Sequence, residues 1–154
     1  DGVRGGWSTK QRVEMRKDSH VGVDGVVGLT CMWGLQAALY GQLAAQSLWP
    51  ILGVMALPRA MMVPLMTALP NARGKGLSAS VGRPAPQTAI LAVALGGAIA
   101  ALSGALPALI GAPLGAWAVA AIAKRKIGGQ TGDILGACQQ CVETCALICL
   151  VAFL

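Results

Sequence analysis

Ile134-Leu135-Gly136-Ala137-Cys138-Gln139-Gln140-Cys141-Val142-Glu143-Thr144-Cys145-Ala146-Leu147-Ile148-Cys149-Leu150-Val151-Ala152-Phe153-Leu154 closes the chain as a nearly unbroken apolar run. In helical form about 20 such residues cross the hydrocarbon core of a bilayer. Four upstream stretches share this character: Val26 to Ala45, Ser47 to Leu69, Thr88 to Leu106 and Pro107 to Ala123. The fold they predict is all-α, a multi-pass transmembrane helical bundle of about five spans. Gly104, Pro107, Gly111 and Pro113 each offer a turn between the third and fourth stretches, so several breaks are open there. Pro50, Pro58 and Pro64 predict a kinked second span.

Composition agrees. Of 154 residues 55% are hydrophobic and 12% charged, against roughly 25% charged in soluble domains. The net charge of +6 is that of many nucleic-acid binders, but the cations lie beside apolar runs and the chain has one Tyr and one Phe for stacking. A membrane lipid surface, and no nucleic acid, is the expected partner. Five cysteines, four of them in the last run, do not form a secreted disulfide framework. The chain opens on Asp1 and has no visible signal peptide, so a truncated chain is expected.

Residues 1–154 read as one integral-membrane domain, with 1–20 a cytoplasmic interfacial segment and 26–154 the transmembrane bundle. Ser8-Thr9-Lys10-Gln11 has capping-box spacing and predicts a short N-terminal interfacial helix carrying Lys10, Arg12, Arg16 and Lys17. With five spans, the N-terminal segment, the loop from Asn71 to Gln87 and the loop from Lys124 to Asp133 share a side. They hold Arg4, Lys10, Arg12, Arg16 and Lys17, then Arg73, Lys75 and Arg83, then Lys124, Arg125 and Lys126. The opposite connections, Gly41 to Gln46 and Ser103 to Pro107, hold no Lys or Arg. The positive-inside rule makes the basic face cytoplasmic. Five of the six carboxylates lie on it.

Chemistry-bearing residues gather on that face. Arg16-Lys17-Asp18-Ser19-His20 holds the only histidine. Adjacent side chains diverge, which makes a Ser-His-Asp triad a poor fit there; Asp18 or His20 as proton acceptor or metal ligand is one reading, an interfacial charge cluster the other. Gly128-Gly129-Gln130-Thr131-Gly132-Asp133 opens the last helix, where free N–H groups favour an anion. The alternative is a glycine turn with Asp133 as cap and close packing at Gly128, Gly132 and Gly136. Asp133, Gly136, Gln140 and Glu143 share one helix face, and Glu143 lies about 15 Å in from Asp133. A charge at that depth needs a partner, and Arg59, inside the second span, is either that partner or a ligand cation. Cys138, Cys141, Cys145 and Cys149 form an opposite stripe over roughly 16 Å, too extended to surround one zinc ion. They are expected to pack as small apolar residues.

Arg12-Val13-Glu14-Met15-Arg16-Lys17-Asp18-Ser19-His20-Val21-Gly22 resembles the segment before a transmembrane helix in the cobalamin-5′-phosphate synthase (adenosylcobinamide-GDP ribazoletransferase) family. Pro58-Arg59-Ala60-Met61-Met62-Val63 with Asn71-Ala72-Arg73-Gly74-Lys75-Gly76-Leu77, and Gly128 to Ala137 followed by Glu143, are similar in the same order. The resemblance touches nearly the whole chain. It implies an Mg²⁺-dependent transferase of a prokaryotic inner membrane, its active face cytoplasmic, acting on adenosylcobinamide-GDP and α-ribazole or its 5′-phosphate. It implies Asp18, His20 and Asp133 as catalytic residues and Asp1, Asp18 and Asp133 as metal ligands. Lys17, Ser19, Arg59, Arg73, Gly129, Thr131 and Gly132 would bind substrate. An oligomer is compatible with this reading. Asp24 stands where members often carry an aromatic residue. The family's upstream acidic stretch of Asp-Gly pairs survives only as Asp1-Gly2, so most of its metal site is expected to be missing. Two other classes share part of this pattern. A CDP-alcohol phosphatidyltransferase would share interfacial carboxylates, but its spaced signature is not intact. A transporter subunit would hold its site near midplane rather than at one face.

Overall fold

The computed structural model describes residues 23–72 and 82–153. The expected interfacial helix lies outside them. Five helices follow one another: α1 (Val23–Gln46), α2 (Trp49–Ala68), α3 (Pro86–Leu102), α4 (Ala108–Lys126) and α5 (Gly132–Ala152). Each coincides within a few residues with one apolar stretch, because proline and glycine punctuate the chain locally. Pro50 and Pro86 sit in the first turns of α2 and α3, where the missing N–H has no helical partner to lose. Pro58 and Pro64 are carried inside the single helix α2.

The open break between the third and fourth stretches falls at Gly104. Its φ of +82° suits glycine, and the end of α3 closes as a Schellman motif. The Gly104 N–H donates to the Ala101 carbonyl at 3.2 Å and the Ala105 N–H to the Ala100 carbonyl at 2.7 Å. Ala100 and Ala105 are both fully buried, supplying the apolar contact that accompanies this motif.

α2 and α5 form the centre; α5 packs on α1, α2 and α4, and α3 leans on α2. The core holds large side chains such as Leu43, Leu57, Leu147 and Leu150, but small residues stand where the helix backbones come closest. A Cβ on Gly53 of α2 would stand 2.7 Å from Ala100 Cα, and one on Gly96 of α3 would stand 2.5 Å from Ala60 Cβ. A Cβ on Gly115 of α4 would stand 2.8 Å from both the Cys141 carbonyl oxygen and Val142 Cα, and one on Gly111 would collide with the Cys145 carbonyl. Leu91, Leu95, Ile110, Leu114, Trp117 and Ile148 meanwhile point outward and are exposed. Small residues at the closest helix contacts, with large apolar side chains exposed on the outer faces, suit helices that associate in lipid by close backbone packing.

Of the five expected spans, α2, α4 and α5 are long and apolar enough to cross a membrane. The other two differ for identifiable reasons. α3 has 17 residues, about 26 Å against a core of about 30 Å. α1 is long but carries Gln36, Tyr40, Gln42 and Gln46.

Candidate functional site

Two loops meet at the basic end of the bundle. α4 finishes with the exposed cations Lys124, Arg125 and Lys126 in its last turn, where they oppose the negative end of the helix dipole. Gly128, at φ +80°, then reverses the chain, its N–H donating to the Ala123 carbonyl at 2.9 Å. The next residues run beside the exit of α2 as an isolated parallel bridge between Asn71 and Gln130. The Gln130 N–H donates to the Pro70 carbonyl at 2.8 Å, and the Ala72 N–H donates to the Gln130 carbonyl at 3.0 Å. Gly129 allows this approach, because a Cβ there would run into the Pro70 carbonyl and stand 3.2 Å from the Ala72 nitrogen. This clasp joins two of the segments singled out in the sequence, and shows that the second-span exit and the last loop share an end.

Thr131 starts α5. Its hydroxyl accepts from the Ile134 N–H at 3.4 Å as N-cap, and its carbonyl accepts from the Leu135 N–H at 3.0 Å. The cap is therefore Thr131 rather than Asp133, which lies exposed in the first turn. The glycine roles differ from expectation as well. Gly128, Gly132 and Gly136 would each meet open space with an added Cβ, and the packed glycine is Gly129. Gly129, Gln130 and Thr131 are buried in the clasp; Gly132 and Asp133 present the surface. Asp1, Lys17, Asp18, Ser19, His20 and Arg73 lie outside the described residues. Arg83, on the return loop, donates from Nε to the Thr67 carbonyl at 2.7 Å and so holds the end of α2.

Glu143 finds a different partner from the one expected. Tyr40 Oη donates to Glu143 Oε1 at 2.7 Å across the α1–α5 interface. Arg59 is exposed on α2, its Nη1 donating to the Met55 carbonyl at 2.6 Å one turn back, with no ion pair to Glu143. It lies nine residues, about 14 Å, below the end of α2 and is not brought to the clasp. Beside Tyr40 and Glu143, the buried Gln36 donates from Nε2 to Thr144 Oγ1 at 3.0 Å, and Thr144 Oγ1 donates to the Gln140 carbonyl at 2.8 Å. Gln36 and Tyr40, four residues apart and so on one helix face, were the available signal for this seam, and sequence reading passed over them.

A double-mutant cycle tests the seam. Tyr40→Phe with Glu143→Leu should show coupling of about 0.6–1.7 kcal/mol in folding equilibria measured in detergent. Arg59→Met with Glu143→Leu should be additive; coupling in that cycle instead would restore the ion pair.

Cys138 is fully buried, Cys141, Cys145 and Cys149 are half-buried, and all four thiols are free. They pack in the bundle, and the carbonyls of Cys141 and Cys145 form the surface against which Gly115 and Gly111 rest. Among the described residues no group of three or more His, Cys, Asp or Glu side chains is placed to hold a metal ion.

The fold is thus an all-α bundle with an outward apolar belt, closed at its basic end by two clasped loops, three of its helices being long and apolar enough to cross a membrane. Residues 1–151 match the family model described as Cobalamin-5-phosphate synthase, and the chain belongs to that family. It is similar to the protein of Brucella canis named adenosylcobinamide-GDP ribazoletransferase, 36% identical over 164 residues, covering 98% of this chain and 63% of the relative. Proteins of the same name from Bradyrhizobium diazoefficiens (36% identical, covering 99% of this chain and 61% of the relative) and a Sinorhizobium species (34%, 96% and 62%) are similar to it as well. The chain thus spans about three-fifths of the length of the curated relatives it matches. No solved structure matches it.

Proposed function

We propose that the chain is part of a membrane-embedded transferase that joins adenosylcobinamide-GDP to α-ribazole, or to its 5′-phosphate, and releases GMP. The observation carrying this reading is the clasp, which sets the Pro70–Ala72 segment against Gly129 and Gln130 at the cationic end of the bundle. Phosphorus transfer depends mainly on positioning and charge neutralisation, and two loops tied together by backbone bonds are a means of positioning. A ribose hydroxyl oxygen bonds to the cobinamide-linked phosphorus, the bond from that phosphorus to the GMP oxygen breaks, and the hydroxyl proton passes to Asp18 or His20. Lys17, Ser19 and Arg73 contact the phosphates, together with the Gly132 end of α5. Gly129 and Thr131 act by shaping the loop. Arg59 is left out of this set because of its depth and its bond to Met55.

Mg²⁺ is the proposed cofactor, held by Asp1, Asp18 and Asp133, and when bound it would neutralise phosphate charge. Only Asp133 of these is among the described residues, and one carboxylate does not make a magnesium site, so no step is derived through the metal. The membrane reading places all five helices across a prokaryotic inner membrane with the basic end cytoplasmic. In a background with the native cysteines replaced, cysteines at positions 42 and 75 should label from opposite faces. Labelling from one face would remove the shared active side.

Asp18→Ala and Asp133→Ala in the full-length protein should each reduce condensation by about 100-fold or more with membrane insertion intact. The assay is GMP release by the purified enzyme with saturating Mg²⁺, and chelation should abolish it in the parent. Near-parental turnover in both variants would displace the site.

A further inference from the structure

We infer that the groove between the end of α2 and the outer face of α4 is a binding site for one anionic phospholipid. The groove has a volume of about 740 Å³, within the roughly 300–1,000 Å³ of small-ligand sites. One wall is Ala68, Leu69 and Pro70; the other is Trp117, Ala121 and Lys124, with Arg125 at the rim. Residues 117, 121 and 124 share a face of α4, so this wall has a polar end and an apolar end. Lys124 and Arg125 stand at the loop level, and Trp117 lies about 10 Å deeper, 72% exposed.

That layout fits an amphiphile. Among the described residues Lys124 and Arg125 make no ion pair or hydrogen bond, and both are exposed at the mouth, where they set positive charge against an anion. The wall beneath them offers only apolar surface, which a soluble phosphate or nucleotide leaves uncovered. Cationic grooves between helices on the cytoplasmic side hold anionic lipid headgroups, and Trp belongs at such an interface. The inference rests on the membrane placement proposed above, but not on the transfer reaction.

The test uses the full-length protein with Trp117 as its only tryptophan (Trp7, Trp33, Trp49 and any tryptophan of the full-length protein outside these 154 residues replaced by Phe) in phosphatidylcholine nanodiscs. Brominated phosphatidylglycerol should quench Trp117 at a lower mole fraction than brominated phosphatidylcholine. The preference should approach about five-fold per cation at low ionic strength and shrink with salt. Lys124→Gln with Arg125→Gln should abolish it, and Lys124→Arg with Arg125→Lys should keep it. Equal quenching by the two lipids, or an unchanged preference in the Gln pair, overturns the site. Absence of quenching by either lipid means protein covers the groove, and competition by inorganic phosphate means the anion is soluble; both also overturn it. Failure of the parent to enter nanodiscs would refute the membrane placement instead. Should the single-tryptophan protein not fold, native mass spectrometry of the parent and the Gln pair reads the same quantity. Retained phosphatidylglycerol must exceed phosphatidylcholine in the parent only.

Discussion

Gly111→Val is expected to stop α4 docking on α5 and to prevent the protein accumulating in the membrane. The first atom of any side chain at this position would collide with the Cys145 carbonyl and stand 2.9 Å from the Ala146 nitrogen, both backbone. Backbone does not swing aside as a flexible side chain does, so relief requires the two helices to separate. Separation opens Gly115 against Cys141 and Val142 as well, because the two glycines are one turn apart on the same face. Overpacking costs about 1–3 kcal/mol where side chains can shift, and more is expected here. That is a large part of a typical total stability of roughly 5–15 kcal/mol. Ile110, next in sequence but 59% exposed, is the control. Ile110→Ala should stay within about 0.5 kcal/mol of the parent. Yield and thermal midpoint in detergent give the comparison, and equal behaviour of the two variants would mean that the α4–α5 contact is not close.

Gly129→Val is expected to separate function from folding. The clasp bonds lie at one end of the bundle, beyond the helix–helix contacts of α4 with α5 and of α2 with α3, so helix content should be retained. The new side chain would sit where the Pro70 carbonyl lies and drive the two loops apart, breaking the Gln130–Pro70 and Ala72–Gln130 hydrogen bonds. A misplacement of about 1 Å in a positioning site can cost about 100-fold in rate. Loss of that order in GMP release, with helix content retained and a smaller fall in thermal midpoint than in Gly111→Val, is the expected result. Gly132→Ala has open space around it and should lose far less through packing, so any large loss there reports on the exposed end of α5 itself. Parental activity in Gly129→Val would detach the clasp from the reaction.

The glycine-rich loop shows how local reading and tertiary structure divide the problem. That Gly128 to Gly132 forms a turn before a helix is legible from composition, since glycine frees the backbone and the apolar run resumes at Ile134. Which glycine bears the packing is not. Gly129 bears the packing because Pro70 and Ala72 stand beside it, residues some sixty positions away in sequence. The cap is a closer miss: Thr131 and Asp133 are both competent, and the backbone at Thr131, extended at φ −139°, selects the threonine.

The five helices, their order and their ends within a few residues followed from the sequence by itself, because each is signalled within one stretch by apolar length and by proline or glycine at its margin. So did the clustering of cations at one end, and the motifs by which the chain resembles its family. Tertiary structure alone decided which faces meet. Glu143 pairs with Tyr40 and not Arg59 because α1 packs on α5 with Tyr40 toward it, while Arg59 is exposed on α2 and bonds to Met55. Depth along a helix can be counted from sequence at about 1.5 Å per residue. Azimuth between helices cannot, since it depends on contacts between residues far apart in the chain.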